Sequence, residues 1–134
     1  MADLKTTERT DAQWREALTP EQYRVLRRHG TESPFSGAYV HEKADGTYRC
    51  AGCGSELFSS ATKFDSRTGW PSFTEPAVAD AVVVKRDFKM LFPRMEVRCR
   101  RCDGHLGHVF SDGPKPTGKR FCINSCALDL DRAR

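Results

Sequence analysis

Two brackets of identical spacing, Cys50-Ala51-Gly52-Cys53 and Cys99-Arg100-Arg101-Cys102, leave Cys122 and Cys126 apart in Arg120-Phe121-Cys122-Ile123-Asn124-Ser125-Cys126. A two-residue gap lets one tight turn aim both sulfurs at a single tetrahedral ion, and two such turns complete a four-thiolate zinc site. That site is coordinatively closed and has no position for an activated water, so the one Zn2+ it implies is structural. The long segment between the brackets exceeds that of a compact zinc finger, which predicts that the metal ties two distant hairpins together. Gly52 is expected to ease the turn of the first bracket. Cys122 follows Lys119 and Arg120 in an apolar stretch. It reads either as an inert packed thiol or, if those cations face it, as a nucleophile of lowered pKa.

His105 and His108 lie in Gly104-His105-Leu106-Gly107-His108-Val109-Phe110, directly after the second bracket. Four cysteines make them unnecessary as metal ligands. They are either hydrogen-bonded structural histidines or imidazoles that a glycine-punctuated loop presents to a cleft. Trp70, held between Gly69 and Pro71, sits on an expected turn, where its ring either joins the core or walls a pocket.

The elements that must position these side chains fit one domain. The 134 residues are 38% hydrophobic, enough for a single core. Residues 1–12 read as a flexible polar tail and 13–134 as the single domain. A helix is expected around 13–18. A second is expected over 20–29, with Thr19 as cap, Pro20 at its first position, Gln22 completing a capping box and Gly30 closing it. Beyond Thr31 short apolar runs between Gly, Pro, Asp and Ser predict strands at 47–49, 56–58, 81–85, 95–98, 108–110 and 120–124, with Asp45-Gly46 as a hairpin turn. The fold class is therefore mainly β (α+β), antiparallel, with N-terminal helices.

No apolar run reaches the ~18 residues of a membrane helix, and the polar opening lacks a secretory signal, which predicts a soluble cytoplasmic protein. In that compartment thiols stay reduced, so six cysteines favour metal and redox roles over a disulfide framework. The net charge of +4 is spread along the chain. Even the densest group, Arg98, Arg100 and Arg101, reads as an offset to neighbouring thiolates more than as a nucleic-acid surface.

Over nearly its whole length the chain resembles the B-type peptide-methionine (R)-S-oxide reductases (MsrB family). The resemblance rests on Leu18-Thr19-Pro20-Glu21-Gln22-Tyr23, Pro34-Phe35-Ser36-Gly37, Asp45-Gly46-Thr47-Tyr48, Lys63-Phe64-Asp65-Ser66, Gly69-Trp70-Pro71-Ser72-Phe73, Gly104 to Phe110, Asp112-Gly113-Pro114 and Arg120 to Ser125. It implies a coiled, barrel-like β core and reduction of the R epimer of methionine sulfoxide, mainly within oxidised proteins, a lesion described by sulfoxide chemistry. It also implies Cys122 as nucleophile, His105, His108 and Asn124 as the polar set, and Trp70 as the platform for the substrate methyl. The chemistry agrees, because a sulfoxide sulfur yields to a thiolate only when its oxygen is protonated as it leaves. His108 is the expected proton donor, Phe110 joins the apolar wall, and Arg120 is a further electrostatic candidate. The product on the enzyme is a Cys122 sulfenic acid.

Many members of that family carry a resolving cysteine shortly before Gly-Trp-Pro-Ser-Phe, and Lys63-Phe64-Asp65-Ser66-Arg67-Thr68 has none. Cys126 is the available substitute. An extended chain would hold it about 13 Å from Cys122, Cα to Cα, whereas a turned segment brings the pair to about 6 Å. Regeneration by Cys126 and by an external thiol such as thioredoxin or glutathione both stay open, as do two other functions. One is a noncatalytic zinc-ribbon binding module; the other is a thiol peroxidase or redox sensor using Cys122.

Overall fold

The computed structural model describes residues 9–88 and 94–133. Among these residues two α-helices, α1 (Asp11–Ala17) and α2 (Pro20–Arg28), precede nine strands. These are β1 (Gly46–Cys50), β2 (Glu56–Ser59), β3 (Lys63–Phe64), β4 (Ser72–Phe73), β5 (Val82–Asp87), β6 (Arg94–Cys99), β7 (His105–Phe110), β8 (Arg120–Ile123) and β9 (Leu128–Arg132). They form two antiparallel sheets, β2-β1-β9 and β3-β4-β8-β7-β6-β5. The mainly β class expected from the sequence is the observed one.

Both helices start on the same device. The Thr19 hydroxyl accepts from Gln22 N–H while the Gln22 side chain accepts from Thr19 N–H, and Thr10 and Gln13 repeat the exchange two turns earlier. Each reciprocal pair satisfies two donors that a helix start leaves without partners. The first helix therefore begins at Asp11, inside the span expected to be tail; residues 1–8 of that tail lie outside the described residues. At the far end of α2 the left-handed residue is His29 (φ 58°), not Gly30. The backbone N–H groups of both His29 and Gly30 donate to the Arg24 carbonyl.

Aromatic side chains join the two sheets. Phe58 of the small sheet stacks on Phe73 of the large one with centroids 4.5 Å apart, Tyr48 meets Phe73 edge-on at 5.1 Å, and Phe121 approaches Phe58 at 5.9 Å. Tyr48, Phe58 and Phe73 are fully buried. Such rings carry much of the apolar area that pins one sheet to the other. In β8 the alternation is strict: Phe121 and Ile123 enter this core, while Arg120 and Cys122 face the other side, half-buried.

Three expected details change. Asp45-Gly46 is not a hairpin turn, because β1 pairs with the later strands β2 and β9 and, among the described residues, no strand precedes it. The two-residue strands β3 and β4 were not expected, nor was β9, whose Leu128-Asp129-Leu130-Asp131 alternation lays it along β1. Strand β7 begins at His105 rather than His108, because a register shift at Val97/Arg98 in β6 lets the segment pair from there onward.

Candidate functional site

The four bracket cysteines converge. Their sulfurs all lie within 4.8 Å of one another, with Cys50 and Cys102 3.7 Å apart and Cys53 and Cys99 3.6 Å apart. A tetrahedral ion bound at about 2.3 Å sets sulfurs about 3.8 Å apart, so the cluster fits a metal site. The brackets end β1 of one sheet and β6 of the other, so the cluster joins the sheets, as the long spacing implied.

The two turns are copies. Cys50 N–H donates to Ser55 O and Gly54 N–H to Cys50 O; Cys99 N–H donates to Gly104 O and Asp103 N–H to Cys99 O. The residue after each second cysteine, Gly54 (φ 82°) or Asp103 (φ 61°), takes the left-handed conformation. That position, not Gly52, eases the turn. Gly52 serves packing instead, since a Cβ there would stand 3.2 Å from the Trp14 ring. Trp14 and Leu26 close over the cluster, and Arg27 donates to Cys102 O at 2.8 Å. The arginines beside the second bracket have other partners: Arg98 pairs with Glu96 and Asp103, and Arg100 donates to Asp80 O.

A cleft of about 220 Å3 lies elsewhere, lined by Thr31, Thr68, Trp70, Arg94, Gly107, His108, Phe110, Arg120, Cys122 and Asn124. Pairing builds it. Cys122 is the register partner of His108 on β7 and of Ser72 on β4, and Arg120 is the partner of Phe110. Strand β7 approaches closely because residue 107 is glycine: a Cβ there would fall 2.0 Å from the Cys122 carbonyl oxygen. A glycine inside a strand marks such an approach.

The walls are tied from behind by Glu32, a residue the sequence did not single out. Its carbonyl accepts from Trp70 Nε1 at 3.0 Å, and its N–H donates to Asn124 Oδ1 at 2.9 Å. Its buried carboxylate accepts from Ser125 N–H and Cys126 N–H at 2.8 and 3.1 Å. Asn124 also donates through Nδ2 to Leu106 O. Trp70 and Asn124 are thus held by hydrogen bonds on fixed backbone, which preorganises the cleft.

Of the expected site residues, Trp70, His108, Phe110, Arg120, Cys122 and Asn124 share this cleft. His105 does not line it. It is buried behind His108, ring centroids 5.4 Å apart, with Nδ1 2.6 Å from Glu96 Oε2 and with Nε2 buried and unpartnered. Burial drives its pKa down to about 4 against the pull of Glu96. Glu96 also meets His29 Nδ1 at 2.9 Å and Arg98 at 3.0 Å. Burial alone would raise its carboxyl, but the Arg98 and His105 hydrogen bonds prevail and hold it at about 2.

The condition set for a lowered Cys122 pKa, a cation facing the thiol, is met by Arg120 but does not suffice. Burial pushes its thiol up, and the opposing Arg120 and Thr68 do not overcome it. Arg120 is shared with other partners, in a two-point ion pair with Asp112 at 2.9 and 3.2 Å and with its guanidinium stacked 4.4 Å from the Phe110 centroid. Cys126 opens onto another cleft, with Glu21, Glu32, Tyr39 and Leu128. The chain does turn between the two cysteines, at Ser125–Ala127, yet the Cys126 sulfur lies 4.0 Å from Glu21 O on α2. Burial, with Glu32 and Glu21, pushes that thiol up to about 12.

Comparison with known proteins agrees with the geometry. The family model described as "SelR domain" matches residues 18–132. A protein of Methanosarcina barkeri called "Peptide methionine sulfoxide reductase MsrB" is 56% identical over 126 residues, 94% of this chain and 89% of the relative. Proteins of the same name from Bradyrhizobium diazoefficiens and Thiobacillus denitrificans are 56% identical over 134 residues and 58% identical over 122. These cover 97% and 91% of this chain and 96% and 92% of the relatives.

Proposed function

The chain belongs to the SelR domain family, the R-sulfoxide reductases of peptide methionine, and we propose that Cys122 carries this reduction in the cleft beside Trp70. The observation that carries the reading is the register pairing of Cys122 with His108 across β7 and β8. A nucleophile and a proton carrier then meet on one wall while Trp70 and Phe110 supply an apolar one.

The sulfoxide sulfur bears a methyl, a chain methylene and an oxygen. The methyl is read by Trp70 and Phe110, and the oxygen is turned toward His108. Only one epimer places both while its sulfur faces Cys122, which is the source of stereospecificity. The Cys122 thiolate attacks the sulfur, the protonated oxygen passes from the substrate sulfur to Cys122, and the sulfur–sulfur bond breaks to release methionine and leave Cys122 as a sulfenic acid. Asn124, fixed by Leu106 and Glu32, and the buried His105 keep the imidazole and strand β8 in place.

Regeneration falls to an external thiol reductant such as thioredoxin. Cys126 faces a different cleft, and with a pKa raised to about 12 it supplies little attacking thiolate at neutral pH. The bracket cysteines would hold one Zn2+, whose four thiolate ligands fasten the sheets together and leave no open position for catalysis. No helix among the described residues is long and apolar enough to cross a membrane. A reducing compartment, the cytoplasm, suits cysteines that serve as ligands and nucleophile.

The test is turnover of each epimer of a blocked methionine sulfoxide with dithiothreitol. Loss of the R form alone, abolished by Cys122→Ser, is expected; preferential loss of the S form, or activity surviving Cys122→Ser, would refute the reading.

A further inference from the structure

A buried thiol pushed above its ordinary pKa needs a base before it can attack. Arg120 cannot serve, being a cation already paired with Asp112. His108 is the candidate base within the cleft, and its ring has a second partner that the sequence did not suggest. Asp87, the last residue of β5, reaches past β6 to place Oδ2 3.0 Å from His108 Nε2, with both side chains 10% exposed. Arg94, the register partner of Asp87, stands 3.5 Å from the same oxygen and also lines the cleft.

We propose that Asp87 is a positioning residue that makes His108 the base for Cys122 and then the acid for the leaving oxygen. The proposal rests on Cys122 being the nucleophile, as read above. A carboxylate only accepts hydrogen bonds, so its contact assigns the proton of neutral His108 to Nε2 and leaves Nδ1 with its lone pair. His108 is neutral at rest, because burial lowers its pKa more than Asp87 raises it. Nδ1 takes the Cys122 proton, and Asp87 stabilises the imidazolium that results, the role of the third group in a nucleophile, base and carboxylate relay.

The relay balances. The Cys122 sulfur bonds to the substrate sulfur as the proton passes from Nδ1 to the sulfoxide oxygen. The sulfur–oxygen bond of the substrate then breaks as the oxygen and its proton pass to Cys122, and the sulfur–sulfur bond breaks as the sulfide leaves, so that Cys122 ends as a sulfenic acid. Substrate sulfur is reduced by two electrons and Cys122 oxidised by two, with no net proton consumed. Among the described residues, the charged and titratable groups around His108 are Asp87 from β5, Arg94 and Glu96 from β6, His105 on its own strand, and Cys122 and Arg120 from β8. His29, at the end of α2, touches His105 from behind.

The sign of one measurement separates this relay from a simple charge effect. Deleting a carboxylate near a thiol lowers the thiol pKa through space, whereas deleting the partner of its base raises the pH at which the thiolate forms. Alkylation of Cys122 by iodoacetamide is followed against pH by site-resolved mass spectrometry on the metal-loaded full chain. Asp87→Asn is expected to move the midpoint up by about one unit, slowing alkylation at neutral pH about tenfold. Asp87→Glu should recover part of the loss, and kcat for the R-sulfoxide should fall with KM unchanged. His108→Ala alone should move the midpoint upward as well, a reading that does not depend on Asp87→Asn folding, and adding Asp87→Asn to it should then have no further upward effect. A midpoint that stays or falls in either single variant, or a further upward shift in the His108→Ala background, overturns the proposal. Alkylation needs no sulfoxide, so this outcome is independent of whether the epimer assay succeeds.

Discussion

The molecule holds two kinds of cysteine site, and they are built by opposite means. In the bracket cluster, two hairpin turns with the same backbone hydrogen bonds bring four sulfurs within 4.8 Å, and helices α1 and α2 close over them. In the cleft, one sulfur stands on an interior strand opposite His108, open on the side where Trp70 and Phe110 stand. Crowding four sulfurs around one point fits a metal site that would leave a bound ion no open position. Isolating one beside an imidazole and an apolar wall leaves it available for attack. The difference lies in what the second partner is, a thiol or a base, more than in the cysteine itself.

The largest effects should divide the two sites cleanly. Cys99→Ser would remove one of the four proposed zinc ligands, and structural zinc sites contribute on the order of 10 kcal/mol to folding. That variant, or prolonged chelation, should lose metal, cooperative melting and activity together. Cys122→Ser should abolish activity and shift stability by no more than about 0.5 kcal/mol in a denaturant titration. If both variants lost stability equally, the comparison would fail.

Acid should act next, behind the cleft. His105 binds a proton at about 6.5 when unfolded and only at about 4 when folded, so between these values the unfolded chain holds more protons and stability falls as pH falls. The loss over that window is on the order of 3 kcal/mol. Glu96, depressed from 4.5 to about 2, adds stability that is present above its unfolded value and is lost as pH drops toward its folded one. Denaturant titrations of the metal-loaded protein against those of His105→Gln would isolate the histidine part, and an unchanged acid slope in that variant would contradict it.

Gly107→Ala probes the strand approach. Its Cβ would meet the Cys122 carbonyl at 2.0 Å, where only backbone could yield. Overpacking of this kind costs about 2 kcal/mol, and because Cys122 is the atom set displaced, kcat should fall more than stability does. The smallest effect belongs to Cys126→Ala. Turnover with dithiothreitol and melting should match the parent within error, and no intramolecular disulfide to Cys122 should be found by non-reducing mass analysis in the parent after one turnover. Such a disulfide would reassign Cys126 to the chemistry.

These outcomes also measure how far the sequence reaches. The brackets and the Thr19 to Gln22 cap were legible, because each is set by residues a few positions apart. The Thr10 to Gln13 cap, the Arg120 to Ile123 alternation and the Leu128 to Asp131 alternation carry the same kind of local signal. Glu32, Asp87, Arg94 and Glu96 could not be found that way. Each acquires its role through a partner brought near by sheet pairing, as Glu32 does with Asn124 and Trp70, and Asp87 with His108. The direction of the Cys122 shift could not be read from Lys119 and Arg120, because burial, which depends on sheet pairing, outweighs the nearby cation.

The most direct test of the division between the two sites is a single turnover without reductant, in the presence of dimedone. The metal-loaded protein is mixed with excess R-sulfoxide, methionine product is counted, and the trapped sulfenic acid is located by peptide mapping. One methionine per chain with the adduct on Cys122 alone is the expected result. An adduct on Cys126 or on any bracket cysteine, or methionine formed with Cys122 unmodified, would contradict the account.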